Sequence, residues 1–127
     1  MDKKNTDLKK ILTTEQYHIT QEGGTESPYS GEYCNYFETG TYFCICCNNP
    51  LFSSKSKFNS GGGWPDFYES IKPDAIKYES DHSEGMERTE VKCNNCNAHL
   101  GHIFNDGPTP TGLRYCVNSL SLNFTKK

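Results

Sequence analysis

Two short cysteine motifs decide the fold of this chain, Cys44-Ile45-Cys46-Cys47 and Cys93-Asn94-Asn95-Cys96. In each motif a two-residue spacer lets a tight turn direct both sulfurs at one point, and four thiolates complete the tetrahedral shell of a zinc ion. The motifs lie 46 positions apart (93 − 47), which is too far for a single zinc finger. The sequence therefore predicts one structural zinc ion that ties two distant parts of the chain together, with the ligands Cys44, Cys47, Cys93 and Cys96. Four ordinary buried or disulfide-bonded cysteines are the alternative.

The composition describes a small domain that benefits from such a metal. The chain has 127 residues and a mass of 14.4 kDa, the length of one domain spanning 1–127, and 33% of its residues are hydrophobic. Zinc binding couples directly to folding, with about 10–16 kcal/mol in zinc-finger peptides, so it compensates for a modest core. The net charge of -3 argues against a nucleic-acid partner.

The N-terminal stretch and the cysteine count predict a compartment. Residues 1–5 are polar and precede no apolar segment, so we expect no secretory signal, and no apolar run reaches the length of a membrane span. A reducing cytoplasm suits zinc thiolates and a reactive thiol. Four of the seven cysteines are assigned to the metal, which leaves Cys34, Cys46 and Cys116 to be explained.

The pattern of the chain predicts a mainly β fold with a short helical segment near the N-terminus. Apolar spacing over 7–12 favours a short helix, and Thr13 with Gln16 resembles a capping box before a second short turn around 15–17. Residues 1–11 are a frayed arm in this interpretation. Turn residues separate short strand-like runs at 41–43, 76–78, 86–92, 99–104, 113–117 and 119–124, as in an antiparallel β fold.

The run Leu113–Asn118 carries a constellation that can do chemistry. In a strand its side chains alternate, so Arg114, Cys116 and Asn118 share the face opposite the apolar residues. A guanidinium close to a thiol lowers the thiol pKa and increases the thiolate fraction. We therefore expect a reactive sulfur at Cys116, with a buried structural cysteine as the alternative.

Two histidines precede this run. His99 and His102 would point to opposite faces of a regular strand, but a bulge at Gly101 brings both to one face. Imidazoles near a thiolate provide a proton donor for nucleophilic cysteine chemistry. Zinc ligation is the other role open to them, and four thiolates already fill a structural shell.

The sequence resembles the methionine sulfoxide reductase B family, which acts on the R epimer of methionine sulfoxide. The resemblance runs from Leu12 to Phe124, so the reductase domain is expected over 12–124. It implies two antiparallel sheets and a zinc site remote from catalysis. The matching segments, besides both cysteine pairs, are 12–13, 15–17, 24–26, 51–52, 57–58, 63–65, 98–102, 106–108, 110–112, 114–116 and 118–119.

The resemblance also assigns roles. It implies that Cys116 is the nucleophile, that Trp64 packs against the substrate methyl group, and that a cysteine sulfenic acid forms and is reduced by a thioredoxin-like thiol. Free or peptide-bound sulfoxide is the implied substrate, peptide-bound preferred, and the protein is expected to be a monomer. The residues expected to hold and protonate the oxygen are His99, His102 and Asn118, with Arg114 tuning the thiolate.

One position departs from many relatives. They carry a resolving cysteine in the glycine run before Trp64, where this chain has Gly62. We rank Cys34, then an external thiol, then Cys46 as the group that resolves the sulfenic acid. A zinc-ribbon-like binding module without catalysis is the alternative function, and an oxidation-sensing protein is a third. Neither alternative provides a substrate for the residues expected around Cys116.

Overall fold

The computed structural model describes residues 8, 10–82, 85 and 87–126, and these residues include a nine-residue helix and two antiparallel sheets. The predicted helix over 7–12 and the predicted strand from Met86 each include positions outside the described residues. The elements are α1 (Thr14–Glu22), β1 (Gly40–Cys44), β2 (Pro50–Ser53), β3 (Lys57–Phe58), β4 (Asp66–Phe67), β5 (Ile76–Asp81), β6 (Arg88–Cys93), β7 (His99–Phe104), β8 (Arg114–Val117) and β9 (Leu122–Lys126).

The helix α1 begins where the capping box predicts. The Thr13 hydroxyl accepts a hydrogen bond from the Gln16 amide at 3.1 Å, and the Thr13 amide donates to the Gln16 side chain at 2.9 Å. The helix runs for nine residues and ends at Gly23, whose φ of 71° is left-handed. It is therefore longer than the short turn predicted around 15–17, because Ile19 and Thr20 are buried and tertiary packing extends it.

The strands divide into a small and a large sheet. The small sheet has the order β2-β1-β9, and the large one has the order β3-β4-β8-β7-β6-β5. Every paired strand is antiparallel. This arrangement confirms the predicted fold class of two antiparallel sheets with a short helical segment.

Aromatic side chains pack the two sheets together. Phe52 on β2 stacks on Phe67 of β4 with ring centroids 4.4 Å apart, and Tyr42 of β1 meets the same ring edge-on at 5.1 Å. All three side chains are fully buried. Such contacts bury a large apolar area per residue and fix ring geometry, so they hold β4, and the strand beside it, in a defined position.

A bulge between β6 and β7 brings two histidines to one face. Lys92 pairs with His99 and Val91 pairs with Gly101, so Leu100 is an extra residue on β7. The rings of His99 and His102 consequently lie 5.8 Å apart between centroids. The bulge predicted at Gly101 is present one residue earlier.

Candidate active site and metal centre

The four predicted metal ligands meet at one point. The sulfurs of Cys44, Cys47, Cys93 and Cys96 all lie within 4.8 Å of one another. The closest pairs, Cys44 with Cys96 and Cys47 with Cys93, are each 3.6 Å apart. Four thiols at this spacing fit a tetrahedral ion with metal–sulfur bonds of about 2.3 Å. The residues can therefore hold one metal ion, and they join the end of β1 in the small sheet to the end of β6 in the large one.

The same turn builds both halves of the metal centre. The backbone N–H of Asn48 donates to the Cys44 carbonyl, and the backbone N–H of Asn97 donates to the Cys93 carbonyl, both at 2.8 Å. The two asparagines have left-handed φ values of 66° and 68°, a conformation that Asn tolerates better than most residues. Cys46 lies inside the first turn, where its sulfur accepts a hydrogen bond from the Gln21 side chain at 3.4 Å.

Cys116 lies in a row of polar residues that crosses four strands of the large sheet. On one side it is directly opposite His102 of β7, and on the other it is opposite Asp66 of β4. His102 in turn is opposite Glu90 of β6. Residues paired in this way have Cβ atoms about 4.5–5.5 Å apart and present their side chains on one face. The row therefore places an imidazole and a carboxyl on either side of the thiol.

A pocket of about 200 Å³ opens over this row. Close approach of β7 and β8 forms its floor, since a Cβ at Gly101 would collide with the carbonyl of Cys116. The pocket brings together five of the predicted site side chains, those of Trp64, His102, Arg114, Cys116 and Asn118. Its lining includes Thr25, Trp64, His102, Phe104, Arg114, Cys116 and Asn118.

His99 occupies a different position from His102. His99 is not among the described residues that line the Cys116 pocket. It lines a separate polar cleft together with Glu90, Lys92 and Cys96. Its Nδ1 is 2.6 Å from a Glu90 oxygen, and its buried Nε2 has no hydrogen-bond partner among the described residues. Burial lowers the pKa of His99, although the Glu90 contact opposes that shift. His99 is therefore buried, held by Glu90, and outside the lining of the Cys116 pocket.

His102 is oriented by a carboxylate. Its Nε2 lies 2.6 Å from Oδ2 of Asp81 at the end of β5, and the same oxygen is 3.5 Å from the Arg88 guanidinium. A histidine held by a carboxylate keeps one ring orientation. This arrangement suits a group that delivers a proton into the pocket.

The protonation state of Cys116 differs from the sequence-based expectation. Burial and the charge of Asp66 raise the pKa of the Cys116 thiol to about 12, and Arg114 opposes them. The guanidinium does act in the predicted direction. Its effect is outweighed by burial, the larger cause, and by the charge of Asp66. The pKa of Cys116 is therefore raised overall, although Arg114 lowers it as expected.

The backbone of Glu26 holds two of the predicted site side chains, those of Asn118 and Trp64. The amide of Glu26 donates to Oδ1 of Asn118 at 3.0 Å, and its carbonyl accepts from Nε1 of Trp64 at 3.0 Å. The other end of the Asn118 amide donates to the Leu100 carbonyl. Gly63, at a φ of 96°, turns the chain into Trp64 as the glycine run predicts. Both side chains are thus fixed before any ligand enters.

Cys34 is buried near the same carboxyl groups. Burial raises its pKa, Lys57 opposes that shift, and the charges of Asp66 and Glu26 add to it. The same two acidic residues raise the pKa of Cys116. The two thiols therefore experience one shared electrostatic environment.

The sequence reasoning missed several residues of the site. Asp66 had a detectable signal, an acidic residue within the apolar run Trp64–Tyr68. Asp81 and Glu90 sit in strands with ordinary charged patterns, so the sequence carries no sign of their histidine partners. Lys57 and Glu26 lie in segments that match the family, but the sequence assigned neither of them a role.

Comparison with known proteins assigns the family. The SelR domain model matches residues 12–126, so the chain belongs to the SelR-domain family. The relatives are named as reductases of the MsrB type. "Peptide methionine sulfoxide reductase MsrB" of Herminiimonas arsenicoxydans is 52% identical over 122 residues, covering 96% of this chain and 89% of that protein.

Two further relatives extend the comparison. The protein of the same name from Thioalkalivibrio sulfidiphilus is 56% identical over 117 residues, covering 92% of this chain and 85% of that protein. "Methionine-R-sulfoxide reductase B3, mitochondrial" of Mus musculus is 53% identical over 131 residues. That alignment covers 98% of this chain and 52% of the mouse protein, so the chain spans about half of it. No helix in the described ranges is long and apolar enough to cross a membrane.

Proposed function

We propose that this chain reduces the R epimer of methionine sulfoxide, preferably in peptides, with Cys116 as the nucleophile. The observation that carries the proposal is the pairing of Cys116 with His102 across β8 and β7, inside a pocket walled by Trp64. Family membership and the relatives' names support the same chemistry. The repair of oxidised protein side chains is the physiological role that follows.

The pocket can distinguish the three groups on a sulfoxide sulfur. The Trp64 indole, fixed by its hydrogen bond to Glu26, and the Phe104 ring offer apolar surface to the methyl group. Polar groups at His102 and Asn118 lie on the same pocket wall as the thiol. Because methyl and oxygen must enter different parts of the pocket, one epimer presents its sulfur to Cys116 and the other does not.

The reaction starts from a thiol. The Cys116 sulfur attacks the sulfoxide sulfur, the oxygen passes to Cys116, and the substrate leaves as a thioether. The developing charge on oxygen is stabilised by a proton from His102, which Asp81 holds in place. The thiol proton of Cys116 replaces the one that His102 gives up, so the step is balanced and leaves a sulfenic acid.

Regeneration requires a second thiol. We propose that Cys34 attacks the sulfenic acid and that a thioredoxin-like thiol reduces the resulting disulfide. The shared influence of Glu26 and Asp66 on Cys34 and Cys116 supports this choice. Direct reduction by an external thiol ranks second. Cys46 ranks third, because its sulfur is engaged by Gln21 inside the metal turn.

We propose zinc as the ion of the four-cysteine centre. Four thiol donors and a closed arrangement are typical of structural zinc. When bound, such an ion supplies folding free energy and no reaction chemistry. None of the four ligands is among the described residues that line the Cys116 pocket. Four thiols for a metal and two for redox chemistry support a reducing, cytoplasmic location, and we propose that the protein acts as a monomer.

Turnover tests the proposal directly. Wild type with dithiothreitol should reduce methionine R-sulfoxide, and Cys116→Ser should lose that activity while keeping the fold. Cys46→Ser is the matched control, because it removes a thiol that does not line the Cys116 pocket and that the oxygen-transfer step does not use. If wild type and Cys116→Ser are equally inactive, the zinc-ribbon-like binding module becomes the better account.

A further inference from the structure

Lys57 is a buried cation whose ammonium contacts a backbone carbonyl and an aromatic ring. Only 8% of it is exposed, and its Nζ donates to the backbone carbonyl of Cys34 at 3.4 Å. The ammonium also lies 3.9 Å from the centroid of the Phe37 ring. In the described part of the chain, no carboxylate lies within ion-pair distance of this Nζ. Burying an unpaired ammonium is costly, so its retention calls for a compensating partner.

The neighbouring thiol is the group that can compensate it. Cys34 is also 8% exposed, and Lys57 is the one group that lowers its pKa against burial and the charges of Asp66 and Glu26. Burial in turn lowers the pKa of Lys57 to about 8, while Cys34 and Asp66 raise it. Loss of the Cys34 proton would convert a buried cation and a buried neutral thiol into a compensated ion pair.

The strand register connects this pair to the reactive sulfur. Lys57 and Phe58 form β3, and Phe58 pairs with Asp66 of β4. Asp66 pairs in turn with Cys116 of β8. Lys57 is therefore one residue along β3 from the row that crosses Cys116, and the charge of Asp66 in that row acts on both Lys57 and Cys34.

We propose that Lys57 is a positioning residue for regeneration, holding a cation against Cys34 so that its thiolate forms once Cys116 has been oxidised. The inference rests on the proposed function, in which Cys34 resolves the sulfenic acid. The Cys34 sulfur attacks the Cys116 sulfur, an S–S bond forms, and the S–O bond breaks. The leaving hydroxide takes the proton that Cys34 released and departs as water, with Cys34 oxidised and the Cys116 sulfur reduced.

Rapid-quench single turnover of methionine R-sulfoxide without reductant separates the two steps. Methionine release reports the first step, and the Cys34–Cys116 disulfide, measured by mass spectrometry, reports the second. In Lys57→Met the ratio of the disulfide rate to the release rate should fall about ten-fold, as for a thiol pKa rise of about one unit. Lys55→Met is the matched control, because Lys55 is exposed in the preceding turn.

A pH profile distinguishes a charge effect from a packing effect. In a Cys116→Ser background, the rate of Cys34 alkylation by iodoacetamide should rise at higher pH in Lys57→Met than in the parent. Lys57→Arg, which keeps the charge, should restore the parental profile. Glu26 and Asp66 are the acidic groups acting on this thiol, and both are unchanged in every variant.

The outcomes separate this inference from the proposed function. If Lys57→Met matches Lys55→Met in both the disulfide ratio and the alkylation profile, Lys57 has no role in the step. If wild type releases methionine without a Cys34–Cys116 disulfide, the Cys34 assignment and this inference fail while the reductase stands. If wild type releases no methionine, the proposed function itself fails.

Discussion

Asp66 and Cys116 are direct cross-strand partners on β4 and β8, and the carboxyl group of Asp66 is almost fully buried. Its oxygens are engaged by the Ser60 hydroxyl and by the Arg114 guanidinium, and burial raises its own pKa. A negative charge at this position opposes ionisation of the neighbouring sulfur. Together with burial, the larger cause, this charge favours the protonated form of the Cys116 thiol.

Replacing that carboxyl should release the thiolate. In Asp66→Asn the largest charge that raises the Cys116 pKa is removed while Arg114 remains, so the pKa should fall from its value of about 12. The pH dependence of Cys116 alkylation measures the change, and its rise should move to lower pH. Asp106→Asn is the control on the exposed side of the same guanidinium and should shift the profile less. An unchanged or higher pKa in Asp66→Asn would contradict this account.

Loss of either member of the His102–Asp81 pair should lower the turnover number. His102→Asn removes the proposed proton donor, and we expect the turnover number to fall about 100-fold or more, as for general acid catalysis. Asp81→Asn should produce a smaller loss in the same direction, since the imidazole remains but loses its orienting carboxylate. Steady-state kinetics with dithiothreitol measures both effects. His18→Asn, at an exposed histidine of α1, serves as the control, and full activity of His102→Asn would remove the assignment.

Metal binding at the four-cysteine centre should stabilise the folded protein. Zinc analysis should give about one ion per chain, and removal by a chelator should lower the melting temperature sharply, because binding free energy at such sites is folding free energy. Cys93→Ser should lose the ion. Cys46→Ser should retain it, since Cys46 lies outside the four-sulfur cluster although it occupies the same turn. Equal metal content in the two variants would show that the cluster is not the binding site.

Close packing at Gly101 should not tolerate a side chain. A Cβ there would collide with the backbone carbonyl of Cys116, so Gly101→Ala must push β7 away from β8. We expect a loss of about 1–3 kcal/mol in the free energy of unfolding, the usual range for overpacking, together with a loss of activity. Gly62→Ala, which would approach only the Ser60 side chain, is the matched control. Urea denaturation compares the two, and an equal effect would contradict the strand geometry.

The local rules of the sequence predicted the parts of this structure that depend on spacing and period. The distance between the cysteine pairs predicted which four sulfurs meet, and the strand alternation placed Arg114 and Cys116 on one face with Tyr115 buried on the other. The capping box located the start of α1. These features depend on neighbours a few residues away or on the fixed ligand chemistry of a metal.

Features that depend on cross-strand register could not be predicted in the same way. Nothing near Cys116 in the chain indicates that Asp66, fifty positions earlier, lies opposite it, so the effect of Arg114 was judged without the charge that outweighs it. The bulge at Leu100 placed both histidines on one face as expected, yet only His102 lines the pocket. Side-chain packing decides which of two residues on one face lines the pocket. That packing cannot be inferred from the spacing of the residues in the sequence.

The most direct test follows the oxidation state of each cysteine when the enzyme meets one equivalent of methionine R-sulfoxide without reductant. The account predicts that the sulfoxide is converted to methionine while Cys116 is oxidised, either trapped as a sulfenic acid or joined to Cys34, and that the S epimer leaves Cys116 as a thiol. Methionine formation with Cys116 still a free thiol, or equal consumption of both epimers, would contradict it.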